Sequence, residues 1–370
     1  MPLPRPTVHV PRPTDHGPIF EPALLQPAAR AFRAGQLRGF GFGRGPYPGR
    51  RLRKGDLPGV DFVGFVDAAY PQTWGIGRHC NEGIELMFQE SGSDAFVIGG
   101  QQFQLKPGDL IFARPWEPHQ VGNPRVDAGR LHFLTLDVGA RHPHQRWRWP
   151  SWIILAPKSL RELTNILRHN EQPLWRATTD VGDCFRRIGL AAASDYQGES
   201  LSISRLAVHL NRLLLSLLEM FRGQAVPLDQ SLSTARRTVE SFWAELRDSP
   251  RHLAKEWTVS NMAEHCGMCV TTFIRHSRRL TNATPSRYLN HCRLSLAYEL
   301  LRRDATASVT QVALACGFGS SQYFATQFRR RFGMSPNVFR CQQPRSGKRM
   351  PSGRADRQDG NCWPERPLPD

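Results

Sequence analysis

The chain has 370 residues, with 49 Lys and Arg against 32 Asp and Glu, which gives a formal net charge of +17. This length suggests two or three domains with room for a hydrophobic core. The excess of positive charge indicates an anionic partner, nucleic acid first, and no apolar run approaches the ~20 residues that a membrane span requires. The N-terminus lacks the apolar core of an export signal, and the eight scattered cysteines are typical of a reducing cytoplasm.

Residues 1–58 are rich in Pro, Arg and Gly, as in the run from Gly39 to Pro46. They show neither the helical nor the strand periodicity of a packed element. We therefore expect residues 1–58 to form a disordered basic arm. Such an arm is either an inert extension, the interpretation we favour, or a segment that contacts nucleic acid.

Residues 59–150 change to a β pattern. Ile84, Leu86 and Phe88 alternate with other residues, and similar alternation recurs further along this region. The run Lys106–Asp109 has proline and then glycine at the centre of a turn. Short strands joined by tight turns predict a small β domain.

Residues 151–228 predict helices followed by a linker. The strongest helical periodicity runs from Leu201 to Phe221. Its apolar stripe consists of Ile203, Leu206, Leu210, Leu213, Leu214, Leu217 and Phe221. Because this stripe is wider than a helix on one support needs, we expect it to join two protomers. Packing of the stripe on the chain's own barrel is the alternative.

Residues 229–341 contain a tandem repeat. Each copy has an apolar helix, a glycine turn and a second helix that ends in arginines, which is the helix-turn-helix pattern. The corresponding segments are Met262–Met268, Phe273 and Arg278–Pro285 in the first copy and Val312–Phe318, Phe324 and Arg329–Pro336 in the second. Gly267 and Gly317 fit the end of the first helix, and Asn282 and Gly333 the end of the second, where positive φ is needed.

The second helix of each copy has a polar face that predicts DNA contacts. The N-terminal residues of a recognition helix reach base edges in the major groove, whereas arginines further along reach phosphates. The predicted base-contacting residues are Thr271, Ile274, Arg275, Ser321, Gln322, Ala325 and Thr326. The predicted phosphate-contacting residues are Arg278, Arg279, Arg329 and Arg330.

The segment Trp257–Arg340 resembles the C-terminal domain of the AraC/XylS family of bacterial transcription regulators. The residues that carry the resemblance are Ala263, Gly267, Phe273, Pro285, Tyr288, Arg293, Ala297, Leu300, Leu301, Val312, Ala313, Gly317, Phe318, Tyr323, Phe324, Phe328, Gly333, Pro336, Phe339 and Arg340. Ser277 departs from a usual core phenylalanine, Cys269 from an N-cap serine and Asn282 from a glycine. These departures predict a less stable first helix-turn-helix unit.

The run Leu105–Leu110, continued by Pro118 and His119, resembles the cupin-like sensor of the same regulators. Metal-binding cupins hold an ion with about three His and carboxylate ligands. The clustered histidine pair and following glutamate expected of them are missing, so we expect no metal and no cofactor. His79, His119 and His132 remain as isolated candidates. The expected effector pocket contains Trp74, Trp116, His119 and His132, with a core or surface role as the alternative for each.

Cys266 and Cys269 form a Cys-x-x-Cys pair, a spacing that can bind zinc or cycle as a disulfide. Cys266 corresponds to Cys316 in the second copy, a small apolar packing position. No second Cys-x-x-Cys supplies further zinc ligands. A structural role is therefore favoured over redox sensing.

The resemblance implies an α+β multidomain protein. It has a cupin-like β-barrel at 59–150, a helical coupling segment at 151–228, an all-α double helix-turn-helix domain at 229–341 and a disordered tail at 342–370.

The implied function is that of a cytoplasmic, nucleoid-associated bacterial transcription regulator, not an enzyme. We expect it to bind a double-stranded DNA operator as a homodimer, to respond to a small-molecule effector and, if it is an activator, to contact RNA polymerase. One alternative is a constitutive DNA-binding regulator with a ligand-free barrel. The other is a metal cupin enzyme fused to a DNA-binding domain.

Overall fold

The computed structural model describes residues 26–44, 50–53, 55–196, 201–303 and 307–342. The chain divides into two units, one of residues 1–252 and 256–289 and one of residues 253–255 and 290–370. The first contains a β domain and the first helix-turn-helix, and the second contains the second helix-turn-helix. Among the described residues, no helix combines the length and apolar character needed to cross a bilayer.

The strands of the first unit are β1 Leu37–Gly43, β2 Arg50–Arg51, β3 Val60–Ala68, β4 Ile76–His79, β5 Ile84–Gly92, β6 Asp94–Ile98, β7 Gln101–Leu105, β8 Asp109–Ala113, β9 His119–Val121, β10 Gly129–Leu136 and β11 Leu174–Arg176. They form a sheet of order β11-β8-β5-β10-β3-β1-β2 and a smaller sheet of order β4-β9-β6-β7. Neighbouring strands are antiparallel apart from β1 and β2. This architecture confirms the predicted cupin-like β domain.

The helices are α1 Gln26–Arg33, α2 Pro157–His169, α3 Thr179–Tyr196, α4 Ser202–Arg222, α5 Ala235–Asp248, α6 Pro250–Leu253, α7 Val259–His265, α8 Val270–Thr281, α9 Pro285–Arg303, α10 Val309–Ala315, α11 Ser321–Phe332 and α12 Pro336–Gln342. The helices α7 and α8 form the first helix-turn-helix, and α10 and α11 form the second. The tail predicted at 342–370 lies outside the described residues beyond Gln342.

The interior strand β5 is buried on both faces from Ile84 to Gln89. Leu86 and Phe88 pack into the core that the larger sheet forms with helices α2 to α4. Met87 packs into a second core between the two sheets. Because side chains alternate along a strand, Glu85 and Gln89 share the face of Met87 and point between the sheets. The alternation therefore places two buried polar side chains inside the β domain.

The prediction of a disordered arm is wrong for much of residues 26–58, because α1, β1 and β2 lie there. Strand β1 pairs with β3 from Leu37 opposite Ala68 to Gly43 opposite Phe62. The glycines permit this packing: a Cβ on Gly39 would lie 2.5 Å from the carbonyl oxygen of a β3 residue. Residues 1–25 lie outside the described part of the chain.

The apolar stripe of α4 lies in the chain's own core, so its predicted role between protomers is wrong. Leu210, Leu213 and Leu217 are at most 1% exposed, and they pack with α2, α3 and the larger sheet. The stripe is broad because α4 packs against several elements at once. The sequence alone showed the width of the stripe but not the number of elements that surround it.

The turns of both helix-turn-helix units have the predicted backbone. Gly267 and Gly317 have φ of +62° and +83°, and Asn282 and Gly333 have φ of +53° and +78°. These left-handed conformations favour Gly and Asn. The positions that end each helix are thus confirmed.

Ser277 is fully buried on α8, where a larger apolar side chain was expected. Its hydroxyl accepts a hydrogen bond of 3.1 Å from the indole Nε1 of Trp243 on α5. A buried indole N–H needs such a partner. The serine therefore satisfies a core tryptophan that a phenylalanine at this position would leave unpaired.

Candidate functional site

A cavity of about 90 Å³ lies between the two sheets of the β domain. Strands β3, β4, β5, β6, β9 and β10 line it, together with α1 and β1. Its aromatic lining residues are Phe32, Phe62, Trp74 and Phe133, and its polar ones are His79, Asn81, Glu85, Gln89, Asp94 and Asp127. None of the described lining residues is Lys or Arg. The cavity thus combines aromatic faces with hydrogen-bond acceptors.

A buried cluster of His79, Glu85 and His119 adjoins this cavity. His79 and His119 lie opposite each other on the paired strands β4 and β9, with ring centroids 4.4 Å apart. His119 Nε2 lies 2.7 Å from Glu85 Oε2. The interpretation of these histidines as isolated is therefore wrong. They are 40 positions apart in the sequence, and only strand pairing brings them together.

Hydrogen bonds fix the side chains of this cluster. Nδ1 of His79 lies 2.7 Å from the carbonyl oxygen of Gly77, and Nδ1 of His119 lies 2.9 Å from that of Glu117. The side-chain amide of Asn81 donates a 2.6 Å hydrogen bond to Glu85 Oε2. Each of the three side chains is thus held in one orientation.

Burial and mutual charge set the protonation of the cluster. Burial, with the nearby His119, lowers the pKa of His79 to about 4. Burial by itself would raise the pKa of Glu85, but His119, His79 and the hydrogen bond from Asn81 outweigh it and lower that pKa. Burial likewise opposes charge on His119, and Glu85 outweighs it and raises the pKa. Glu85 and His119 therefore each favour the charged form of the other, beside a His79 that is neutral at neutral pH.

Two further polar groups face the cavity. Burial raises the pKa of Asp94 to about 7. The side-chain oxygen of Gln89 is buried and has no hydrogen-bond partner among the described residues. An unpaired buried acceptor is costly unless a ligand or water satisfies it. The cavity therefore favours a ligand that donates hydrogen bonds.

The structure separates the four residues predicted for the effector pocket. Trp74 lines the cavity, and His119 contacts Glu85 in its lining. His132 lies on the opposite face of β10, where it contacts Phe185 of α3 at 5.9 Å. Trp116 packs against Trp147 at 6.3 Å, away from the lining. His132 and Trp116 therefore do not line this cavity.

Sequence reasoning missed Glu85 and Gln89 as cavity residues. Glu85 lies between Ile84 and Leu86, and Gln89 follows Phe88, in the strand that the alternation of these apolar residues predicted. Such intervening positions normally face solvent, but β5 has a sheet or helices on each face. Polar residues on a doubly buried strand were the available signal.

The recognition helices expose most of the residues predicted to contact DNA. On α8, Thr271, Arg275, Arg278 and Arg279 are exposed and Ile274 is partly buried. On α11, Gln322, Thr326, Arg329 and Arg330 are exposed and Ser321 and Ala325 are partly buried. Phe273 of α8 and Phe324 of α11 are fully buried on the opposite faces. Each helix thus presents a polar, basic face to solvent.

Within the first unit, the β domain contacts the first helix-turn-helix near its glycine turn. His144, which follows β10, lies 2.9 Å by Nδ1 from the hydroxyl of Thr238 on α5. Its Nε2 lies 3.3 Å from the carbonyl oxygen of Gly267, three residues before α8 begins. An ion pair of 3.2 Å joins Arg78 to Asp248. These contacts connect the β domain to the start of a recognition helix.

The two cysteines of the Cys-x-x-Cys pair lie in different environments. Cys266 is 1% exposed, and burial raises the pKa of its thiol. Cys269 is exposed, and hydrogen bonds with Thr271 and Thr272 lower its pKa to about 7. Burial of Cys266 supports the structural interpretation for that residue.

Comparisons with known proteins agree with this architecture. Residues 262–342 match the helix-turn-helix domain family, and residues 68–138 match the cupin domain family. The HTH-type transcriptional activator RhaS of Salmonella schwarzengrund (strain CVM19633) is 28% identical over 279 residues, which are 74% of this chain and 88% of RhaS. RhaS of Escherichia coli O139:H28 is 28% identical over 264 residues, 71% of this chain and 87% of its own. The solved DNA-binding domain of AdpA, in complex with a target DNA, is 34% identical, covering 27% of this chain and 89% of that domain with a TM-score of 0.25.

Proposed function

We propose that this chain, which belongs to the AraC/XylS family of transcription regulators, binds operator DNA through α8 and α11 under the control of a small molecule in the barrel cavity. The observation that carries the DNA-binding part is the exposed basic face on each recognition helix. Arginines on such faces neutralise phosphates, and the polar residues before them reach base edges. The relatives compared above are named as transcriptional activators, which supports an activating role.

The cavity supports the effector part of the proposal. Its aromatic lining and its acceptors Glu85, Asp94 and Gln89 suit a neutral or cationic ligand with hydrogen-bond donors. An anionic ligand would meet carboxylates with no Lys or Arg among the described lining residues. Of the predicted pocket residues, Trp74 lines the cavity, where its ring can stack on such a ligand.

The contact of His144 with Gly267 supports coupling between ligand binding in the cavity and DNA binding by α8. His144 follows β10, a strand that lines the cavity, and Gly267 precedes α8. A ligand that binds one arrangement of the β domain better than another shifts the population of that arrangement. The position of α8 would then report on occupancy of the cavity.

A homodimer is part of the proposal, with a different face of α4 from the one first predicted. Val208 and Leu215 of α4 are 65% and 43% exposed, and Leu201, which directly precedes the helix, is 61% exposed; the three follow one another at seven-residue steps. This spacing keeps them on one side of a helix. Apolar side chains so exposed favour burial against a second copy across a two-fold axis. Action as a dimer at operators in the cytoplasm, with RNA polymerase as a partner, completes the proposed role.

The test is selection of bound fragments from genomic DNA by the full-length protein, followed by footprinting. Two helix-turn-helix units in tandem should place recognition helices in successive major grooves, about 34 Å apart. Each protomer should therefore protect an asymmetric site of nearly two helical turns. Protection of about half a turn per protomer would contradict joint use of α8 and α11.

The effector part is tested separately by thermal melting against a library of neutral and cationic small molecules. A ligand that binds the folded cavity should raise the melting temperature and change operator affinity. A regulator that binds its operator strongly and responds to no ligand would favour the constitutive alternative.

A further inference from the structure

We propose that the β domain itself contacts operator DNA, through Arg146, which binds a phosphate beside the base pairs that α8 reads. This inference rests on the proposed function, which assigns DNA contacts to α8 and α11 alone. It adds a contact from the segment His142–Arg146, which follows β10 in the chain.

This segment lies against the turn that precedes α8. Nε2 of His144 lies 3.3 Å from the carbonyl oxygen of Gly267, and a Cβ on Gly267 would lie 2.8 Å from Nε2 of Gln145. Nδ1 of His144 lies 2.9 Å from the hydroxyl of Thr238 on α5. Two side chains of the segment therefore contact the turn, and one of them also contacts α5.

The docking of a helix-turn-helix brings this turn close to DNA. The first residues of α8 enter the major groove, which is about 12 Å wide and has phosphates along both edges. The turn immediately before α8 therefore lies near one of these edges. Arg146 is exposed, and the two residues that separate it from His144 span at most roughly 7 Å. Its guanidinium can therefore reach the phosphates of that edge.

The charge of Arg146 is not neutralised within the described part of the chain, where its guanidinium makes no ion pair. Arg141, five residues earlier, differs in this respect, because it pairs with Asp137 at 2.8 Å. A guanidinium without a carboxylate partner retains all of its donors for a phosphate. Arg146 is therefore available to DNA, whereas Arg141 is not.

Arg168 on α2 holds the segment in place. Its Nη2 donates a hydrogen bond of 3.1 Å to the carbonyl oxygen of Pro143. Burial lowers the pKa of Arg168, and the positive charge of Arg146 lowers it further. The repulsion between these two arginines favours an Arg146 side chain that extends away from α2.

The face of α8 next to the segment is also basic. Burial lowers the pKa of His276 on α8, and four basic groups lower it further, namely Arg275, Arg279, Arg236 and His144. None of the described groups that shift this pKa is a carboxylate. Positive charge from α5, α8 and the β domain thus converges at one place, which attracts the polyanionic backbone of DNA.

The β domain supplies a matched control. Arg38 on β1 is exposed and makes no ion pair among the residues that the structure describes. The neighbours of β1 are α1, α3, β2 and β3, so we expect Arg38 to lie away from α8. Arg38→Ala and Arg146→Ala change the net charge equally, and only the second should remove a phosphate contact. Arg146→Lys keeps the charge at the proposed position.

The experiment measures the affinity of the full-length protein for a DNA fragment that it has selected, over a range of salt concentrations. Arg146→Ala should reduce the slope of log K against log salt concentration by about 0.9, the value for one phosphate contact. Its loss of affinity should therefore be roughly threefold larger at 50 mM than at 200 mM salt. Arg38→Ala should keep the wild-type slope, and Arg146→Lys should recover most of it.

Neutral phosphates in the DNA locate the contact. A methylphosphonate is placed at one position of the fragment at a time. At one position, beside the base pairs that α8 protects, this change should weaken binding by wild type and by Arg38→Ala but not by Arg146→Ala. A position that only Arg146→Ala ignores identifies the phosphate that Arg146 binds.

Two outcomes would overturn the proposal. One is a wild-type slope in Arg146→Ala, and the other is tighter binding by this variant, which would show that the segment obstructs DNA. If Arg146→Ala lowers the melting temperature, Arg146→Gln takes its place with the same expected slope.

Failure of this proposal differs from failure of the proposed function. Arg329→Ala on α11 should reduce the slope whether or not Arg146→Ala does, so a negative result at Arg146 alone leaves DNA binding by α8 and α11 standing. A wild type that selects no DNA fragment contradicts the proposed function, and the phosphate contact of Arg146 with it.

Discussion

At the scale of single residues, position along a recognition helix separates two kinds of DNA contact. Arg275 lies in the first half of α8, and Arg329 lies in the last turn of α11; both are exposed. Side chains near the N-terminus of such a helix reach base edges, and later ones reach phosphates. We therefore expect Arg275 to contact a base, with guanine as the expected partner, and Arg329 to contact the DNA backbone.

Arg275→Ala should cost about 1–3 kcal/mol of operator binding and relax sequence preference at one or two positions. Arg329→Ala should weaken binding to all sequences alike and reduce the salt dependence by about one unit. Binding selections and salt titrations on both variants measure this difference. Uniform loss of affinity in both would show that Arg275 does not read a base.

At the scale of elements, α4 buries one apolar face in the core and exposes another to solvent. Leu210 and Leu217 lie in the core of the β domain, and Val208 and Leu215 face solvent. Removing a buried leucine leaves a cavity and costs about 2–5 kcal/mol. Substitution of the solvent face leaves that core intact, so only this face can test association without unfolding the chain.

Val208→Glu with Leu215→Glu should convert the proposed dimer to a folded monomer and weaken operator binding, because two sites are no longer engaged jointly. Tyr70→Glu is the control, since Tyr70 is 48% exposed and lies between β3 and β4, outside α4. Analytical ultracentrifugation of the three proteins at micromolar concentration measures the change. A wild type that is already monomeric, or a double variant that remains dimeric, would exclude this face of α4.

At the scale of the whole molecule, buried charge makes the stability of the β domain depend on pH. Burial raises the pKa of Asp61 from 3.8 to about 7, with further contributions from Asp137 and Glu82 that Arg141 and Arg44 partly offset. Between about pH 4 and 7 the folded state keeps a proton that the unfolded chain has released. The free energy of unfolding therefore falls as pH rises through this window.

Asp61→Asn should remove the contribution of Asp61 to this dependence and leave that of Asp94. At pH 8 the variant should be more stable than wild type, by on the order of 2–4 kcal/mol, since one pKa unit corresponds to about 1.4 kcal/mol. Near pH 4 the two proteins should have similar stability. Urea unfolding of the β domain at both pH values measures the effect, and an equal difference at pH 4 and pH 8 would show that Asp61 is not the titrating group.

The DNA-binding half of the protein was determined largely by local sequence. Left-handed turns at Gly267 and Gly333, and buried aromatics such as Phe273 and Phe324, follow from preferences that act within one or two helical turns. A repeated pattern of such preferences can be recognised in the sequence without knowing which other elements pack against it. This explains why the helix-turn-helix units and the exposed faces of α8 and α11 were predicted correctly.

The cavity and the surroundings of α4 were decided only by tertiary structure. His79 and His119 become neighbours through pairing of β4 with β9, and Glu85 faces inward because β5 is covered on both sides. The glycines of β1 suggested disorder, although their small size is what allows the strand to pack. In each case the decisive contact joins residues far apart in the chain. Local periodicity in the sequence does not indicate which distant element makes that contact.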